Sequence, residues 1–160
     1  MVRPKMINYK TREEYFEHYK QVYCRGVIYT YDGIRVFFDP NRFNHAFYET
    51  DKKTGAKKTD FSFIRARYID WIKYTLESSS SVLLKGHNKK SGCLPNIRVA
   101  VVNEDKYVVI INMYYNGKNE LCAKFNTAFY AEKSYRKIKN NPVWSRVDCE
   151  EYLKNNKKGS

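Results

Sequence analysis

Residues 96–130 contain three apolar segments separated by two short polar turns, a spacing that is typical of an antiparallel meander. The segments read NIRVAVV, YVVIINMYY and LCAKFNTAFY, and the turns contain NED and NG. Because YVVIINM is apolar on both faces, we expect its strand to lie at the centre of the sheet. A fourth segment, VLLKG at residues 82–86, predicts a short edge strand.

The third segment of the meander alternates between two sets of side chains. One set is mostly apolar and suits packing against helices: Leu121, Ala123, Phe125, Thr127 and Phe129. The other set carries Lys124, Asn126 and Tyr130, which would stand in a row on an open face and hold a phosphate or a base. An ordinary solvated sheet face explains this second set equally well. A bulge near Thr127 would change which residues share a face.

Residues 60–77, DFSFIRARYIDWIKYTLE, place apolar side chains at helical spacing and predict one amphipathic helix capped by Asp60 or Ser62. Arg65 lies in the middle of the apolar arc, where burying a guanidinium is costly unless an anion or another acceptor meets it. A structural arginine that reaches solvent or pairs with a carboxylate fits this position, and so does an anion-binding arginine. The rest of the sequence favours an anion-binding role for Arg65.

The N-terminal part predicts a helix, a β-hairpin and a second helix. Residues 11–25 predict the first helix, with His18 on its surface, and residues 27–38 predict the hairpin. Residues 39–49, DPNRFNHAFYE, predict the second, short helix. His45 lies on the polar side of this helix, where it is either an ordinary solvent-facing residue or a general base at the border of a cleft.

The chain is strongly basic, with 30 lysines and arginines against 17 acidic residues and a formal net charge of +13. This charge favours polyanions such as nucleic acid, an anionic membrane or an acidic protein, although a basic protein without such a partner would carry it too. The polar, lysine-rich sequence of residues 50–60 predicts a loop, and its Lys57 and Lys58 are candidates for phosphate contact, as are Arg42 and Arg67.

The sequence gives little support to a metal, a cofactor or a membrane span. The cysteines are scattered without a C-x-x-C pair, and the three histidines have no metal-binding spacing. No segment reaches the roughly 18 apolar residues of a transmembrane helix, so we expect a cytoplasmic protein with reduced thiols. The length of 160 residues fits one domain, with residues 1–33 as an extension, 34–144 as the core and 145–160 as a tail.

Five motifs in order resemble the phage and mobile-element ribonucleases of the barnase, EndoU, colicin and RelE-like superfamily: DPNRFNHAFYE, FSFIRARYIDWIKYTL, YVVIINMYY, KFNTAFYAEKSY and NNPVW. The resemblance covers roughly residues 34–144. The basic segment 131–142 itself predicts a short C-terminal helix. The resemblance implies an α+β fold in which N-terminal helices pack on an antiparallel β-sheet. It also implies metal-independent cleavage of RNA on the open face of that sheet.

Matched position by position, the resemblance implies His45, Arg65 and Thr127 as catalytic residues. This chain departs from the family pattern at two positions. Tyr68 stands where relatives often carry a second arginine, and Phe129 stands where they often carry a tyrosine. Tyr130 would supply the missing hydroxyl only if it reached the same face.

The chemistry required for RNA cleavage without a metal fits these residue types. A base must take the 2′-hydroxyl proton, an acid must protonate the leaving oxygen, and positive charge must stabilise the transition state. The unperturbed pKa of a histidine side chain suits proton exchange near neutral pH, which makes His45 the candidate base, and the fork of Arg65 matches phosphate oxygens. Thr127 and Tyr130 would hydrogen-bond the phosphate or orient the nucleophile.

We therefore expect an endoribonuclease toxin or effector that acts on structured RNA such as tRNA. The resemblance also implies an acidic antitoxin or immunity protein as its partner. An RNA- or DNA-binding module without catalysis fits the charge and the interspersed aromatic residues equally well, and a protein-interaction domain is a third interpretation. His87 and the basic loop beside it are an alternative to His45.

Overall fold

The structure is a computed structural model that describes residues 2–49, 60–86 and 96–156. These residues form a six-stranded sheet, a two-stranded ribbon and several short helices, which is an α+β architecture. The helices are α1 (Arg12–Tyr19), α2 (Phe43–Ala46), α3 (Phe63–Ala66), α4 (Ile69–Glu77), α5 (Tyr135–Lys139) and α6 (Arg146–Asn155). The strands are β1 (Ile28–Tyr29), β2 (Arg35–Phe37), β3 (Tyr48–Glu49), β4 (Asp60–Phe61), β5 (Val82–Lys85), β6 (Arg98–Val102), β7 (Tyr107–Tyr115) and β8 (Leu121–Tyr130).

The large sheet has the strand order β1-β2-β8-β7-β6-β5, and β3 and β4 form the separate ribbon. The predicted meander of β6, β7 and β8, the hairpin of β1 and β2 and the edge position of β5 are confirmed. The prediction of a wholly antiparallel sheet is wrong at one pair, because β2 runs parallel to β8. This pair joins segments far apart in sequence, so no local sequence pattern predicts it.

The main core lies between one face of the sheet and the N-terminal helices. Tyr19 of α1, Phe43 of α2 and Ile72 of α4 are fully buried there against Val109 and Ile111 of β7. The opposite face carries a smaller apolar cluster beneath α5, and its fully or largely buried members are Leu84, Ala100, Val102, Val108, Ile110 and Ala131. The remainder of that face has no helix over it among the described residues.

The single helix predicted over residues 60–77 is wrong in two places. Asp60 and Phe61 are in β4, and α3 begins only after Ser62, whose Oγ accepts from the Arg65 backbone N–H at 3.2 Å. The helix is then interrupted before α4 at Tyr68, whose ring stacks on Tyr107 with centroids 5.6 Å apart. This tertiary contact outweighs the continuous helical pattern of the sequence.

The first helix is capped as its sequence predicts, since Thr11 Oγ1 accepts from the Glu14 N–H at 3.2 Å. It continues through a π-helical turn at Lys20–Cys24. The prediction of a surface His18 is wrong, because its side chain is only 15% exposed. His18 Nε2 lies 2.7 Å from Asp70 Oδ1 and Nδ1 lies 2.9 Å from Tyr9 Oη, so it joins α1 to α4 and to the N-terminal segment.

The C-terminal part is more ordered than the predicted tail. The basic helix predicted over residues 131–142 is confirmed over the shorter span of α5, and α6 follows it within the segment expected to be a tail. Trp144 anchors this part of the chain in the core, since it is 7% exposed and its indole N–H donates to the Asn96 carbonyl at 2.7 Å. Within the described part of the chain, every helix is too short or too polar to cross a lipid bilayer.

Candidate nucleic-acid interface

A bulge in β8 decides which side chains reach the exposed part of the sheet. Ile110 of β7 pairs with Thr127, but the next residue, Ile111, pairs with Phe125, so Asn126 is the extra residue. A bulge of this kind exchanges the faces to which successive side chains point. The predicted alternation therefore holds only as far as Phe125.

The predicted row of Lys124, Asn126 and Tyr130 on one face is consequently wrong. The Tyr130 ring stacks on Tyr68 on the helix side of the sheet, with centroids 5.7 Å apart and planes 4° apart. Thr127, expected on the helix side, instead faces the opposite side, because its partner Ile110 belongs to the cluster beneath α5. Lys124 and Thr127 thus share one face, and Tyr130 lies on the other.

Two rows of side chains cross the part of this face that α5 leaves uncovered, which we term the open face. Directly paired residues project to the same side of a sheet, so the strand register defines the rows. The first row contains Tyr29, Arg35, Cys122 and Tyr114. The second row contains Phe37, Lys124, Asn112 and Arg98. Cations and aromatic rings therefore lie side by side over five strands.

Arg42 reaches the bulge from the segment that precedes α2. Asp39 caps this segment by accepting from the Asn41 N–H at 2.8 Å, and Pro40–Arg42 forms a 3₁₀ turn. The Arg42 Nε donates to the Asn126 carbonyl at 3.0 Å, and its Nη2 donates to Asn126 Oδ1 at 3.1 Å. Both bonds are to neutral acceptors. Burial lowers the pKa of the Arg42 guanidinium, and the nearby Tyr19 and Asp39 oppose that shift.

Arg65 bonds to the same strand two residues further along. Its Nη2 donates to the Ala128 carbonyl at 3.2 Å and its Nη1 to the Tyr48 carbonyl at 3.4 Å, and its buried Nε has no partner among the described residues. Burial lowers the pKa of the Arg65 guanidinium, and the nearby Glu49 opposes that shift. The acceptors that meet this arginine are thus two backbone carbonyls, one next to Thr127 in β8 and the other in β3.

Arg98 lies on β6, in the same row as Asn112 and Lys124. Its alkyl chain crosses Gly86, where a β-carbon would lie 2.7 Å from Arg98 Cγ. Burial lowers the pKa of the Arg98 guanidinium, and the positive charge of Arg42 lowers it further. Two guanidinium groups therefore influence each other here.

Asp39 lies near Arg42 and Glu49 lies near Arg65, but neither carboxylate forms an ion pair with these arginines within the described residues. Arg35, Arg42, Arg65 and Arg98 are half-buried, and the ion pairs among those residues include none of them. The Thr127 hydroxyl is also buried and lacks a hydrogen-bond partner within the same part of the chain. We term Arg42, Arg98, Asn126 and Thr127 the anion site, because half-buried cations beside an unsatisfied hydroxyl suit an anionic ligand.

The other residues named from the sequence are distributed as follows. His45 is half-buried on α2, which packs against β8. Arg67 lies away from the open face, near Tyr15, and its carbonyl accepts from the Ile7 N–H at 3.0 Å. Lys57, Lys58 and His87 are outside the described residues.

The structure thus places Lys124 and Thr127 on one face of the sheet, holds Arg42 against Asn126 at the bulge and bonds Arg65 to the Ala128 carbonyl. It separates Tyr130 and Arg67 from this group. Within the described residues, no group of histidine, cysteine, aspartate or glutamate side chains is arranged to hold a metal ion.

Sequence reasoning missed several side chains of this face: Tyr29, Arg35, Phe37, Arg98, Asn112 and Tyr114. A signal existed for two of them, because Arg98 and Asn112 are single polar residues within apolar strands, as Arg65 is within its helix. The positions of Arg35 and Phe37 on the open face depend on the pairing of β2 with β8, which the sequence does not reveal.

No family model, curated protein or solved structure matches this chain. The likeness to barnase-like ribonucleases accordingly stays a resemblance of motifs.

Proposed function

We propose that this protein binds RNA on the open face and holds one phosphate of the RNA in the anion site. The observation that carries the proposal is the pair of half-buried guanidinium groups of Arg42 and Arg98, which influence each other and form no ion pair among the described residues. The unsatisfied Thr127 hydroxyl follows Asn126, the partner of Arg42, in β8. A phosphate supplies the missing negative charge and accepts from both forks.

The whole chain supports a polyanionic ligand. The net charge of +13 attracts a nucleic acid over a long range, and the cations of the open face give that attraction a defined location. The choice of RNA over DNA rests on the motif resemblance to ribonucleases.

Cleavage of the bound RNA without a metal ion is the second candidate function. It is favoured by the position of Arg65, which bonds to the carbonyl next to Thr127, and by α2, which carries His45 against the same strand. His45 would accept the 2′-hydroxyl proton while the 2′-oxygen attacks phosphorus. The bond from phosphorus to the 5′-oxygen then breaks, His45 returns the proton to that oxygen, and the arginines stabilise the negative charge that develops.

Binding is tested by fluorescence anisotropy with a labelled 2′-O-methyl RNA, which cannot undergo transesterification. We expect Arg98→Ala to weaken binding by about tenfold or more, since a hydrogen bond to a charged group contributes about 1.5–3 kcal/mol. Arg25→Ala is the matched control, because Arg25 is an exposed arginine that follows the first helix on the other side of the molecule. Equal losses for the two variants would contradict the anion site.

Cleavage is tested separately with unmodified total RNA in EDTA. Discrete fragments with 2′,3′-cyclic phosphate ends from the wild type, and not from His45→Ala or Arg65→Ala, would support the nuclease. Intact RNA with wild-type protein that still binds the 2′-O-methyl probe would leave RNA binding as the function and reject catalysis.

A further inference from the structure

The open face exposes large aromatic side chains that the core does not use. Tyr29 is 45% exposed and Phe37 is 40% exposed, although their strands are anchored by Ile28 and Val36, which are each 1% exposed. Their backbone positions are therefore fixed by burial of the opposite face. Aromatic rings held rigidly at a surface are suited to contact a flat ligand at little cost in conformational entropy.

Each exposed ring on this face lies against a cation. The Arg35 guanidinium carbon lies 4.6 Å from the Phe37 ring centroid and 5.8 Å from that of Tyr29. On the neighbouring strands, Lys124 Nζ lies 4.8 Å from the Tyr114 centroid. We term these five residues the stacking platform.

The platform adjoins the anion site. Phe37 pairs directly with Lys124, and the same row continues across the sheet to Arg98. The two rows are two residues apart along the strands, about 7 Å at the usual rise of a β-strand. A ligand with a phosphate in the anion site would therefore place its next groups over the rings.

We propose that the stacking platform binds unpaired bases, so that the protein takes single-stranded RNA rather than a duplex. Every base has a face that stacks on an aromatic ring or a guanidinium plane, and Lys124 and Arg35 lie where they can contact the connecting phosphates. A duplex buries its base faces in its own stack and offers only phosphates, sugars and base edges. This inference rests on the proposed function and adds the strandedness of the ligand.

The test compares a short single-stranded 2′-O-methyl RNA with a hairpin duplex of the same nucleotide count, by anisotropy at one salt concentration. We expect Phe37→Leu to weaken binding of the single strand by about fivefold or more, the lower end of the stacking contribution of one base, and to change duplex binding by less than about twofold. Phe37→Trp should retain tight binding of the single strand.

Phe63→Leu is the matched control, since Phe63 is 46% exposed on α3, away from the open face. The platform is overturned if Phe37→Leu affects both RNAs equally or affects neither. The proposed function stands in that case if Arg98→Ala still weakens binding. Failure of the wild type to bind either RNA would overturn the proposed function and the platform together.

Discussion

Asn103 connects the turn between β6 and β7 to helix α4 through one buried side chain. It is 3% exposed, its Nδ2 donates to Thr75 Oγ1 at 2.8 Å, and its Oδ1 accepts from the Asp105 and Tyr107 N–H groups at 2.9 and 3.0 Å. Each of its polar atoms thus satisfies a group that would otherwise be buried without a partner.

Replacing Asn103 by alanine should therefore destabilise the protein. We expect Asn103→Ala to lower the free energy of unfolding by about 2–4 kcal/mol, because unsatisfied buried groups remain on both sides of the turn. Asn112→Ala removes an amide from the open face and should cost less than about 1 kcal/mol. Urea denaturation followed by circular dichroism measures both values, and similar losses would show that Asn103 has no special role.

Gly86 controls where the Arg98 side chain lies. A β-carbon at Gly86 would meet Arg98 Cγ at 2.7 Å and the Arg98 carbonyl oxygen at 3.2 Å, so the arginine would have to move. We expect Gly86→Ala to lower RNA affinity towards that of Arg98→Ala. The reason is displacement of the Arg98 guanidinium from that of Arg42.

A double-mutant cycle distinguishes this effect from general damage. If Gly86 acts through Arg98, then Gly86→Ala should cost little affinity once Arg98 is already alanine. Gly117→Ala is the control, because no atom lies within 4 Å of a β-carbon built there. Fully additive losses in the cycle would contradict the coupling.

At the scale of elements, the sequence predicts what short-range periodicity determines. The strands β6, β7 and β8 follow from their alternating or apolar patterns and short turns, and Thr11 marks the start of α1. Long-range contacts account for the failures. Stacking of Tyr68 interrupts the predicted helix, and the pairing of β2 with β8 has no local signature.

Some residues of the candidate site could be predicted from local sequence patterns, whereas their arrangement depends on long-range contacts. Arg42, Lys124 and Thr127 could be named from the sequence because the motifs that contain them are local. Their arrangement could not, since one extra residue in β8 moves Thr127 onto the open face and Tyr130 away from it. The role of Arg98 depended on the register of β6 against β7.

Helix α6 docks on the core through a cysteine that reports on its detachment. Cys149 is fully buried, and burial raises the pKa of its thiol to about 11. Since the thiolate is the reactive form, we expect Cys149 to react with iodoacetamide at pH 8 only when α6 detaches. Leu153→Ala, which removes a partly buried core contact of α6, should speed this labelling several-fold.

Peptide mapping by mass spectrometry separates Cys149 from the other cysteines in this experiment. Val147→Ala serves as the control, because Val147 is 65% exposed on the same helix and should leave the rate unchanged. Rapid labelling of Cys149 in the wild type would mean that α6 is not held against the core.

At the scale of the whole molecule, binding of RNA through the net charge differs from binding of RNA at the open face. Binding by net charge alone would make every surface arginine equivalent. Binding at a defined face instead releases a fixed number of counterions, set by the phosphates it contacts. The open face and its edge offer four such cations, Arg35, Arg42, Arg98 and Lys124.

The salt dependence of binding separates these possibilities. If all four cations contact phosphates of a single strand, the logarithm of the association constant should fall against the logarithm of salt with a slope of about −3. Arg98→Ala should reduce that slope by about 1, Phe37→Leu should lower affinity at unchanged slope, and Arg25→Ala should change neither. Anisotropy titrations between about 50 and 200 mM salt measure all four proteins. An equal change of slope for Arg25→Ala and Arg98→Ala would mean that the ligand follows the charge of the molecule and not the geometry of its sheet.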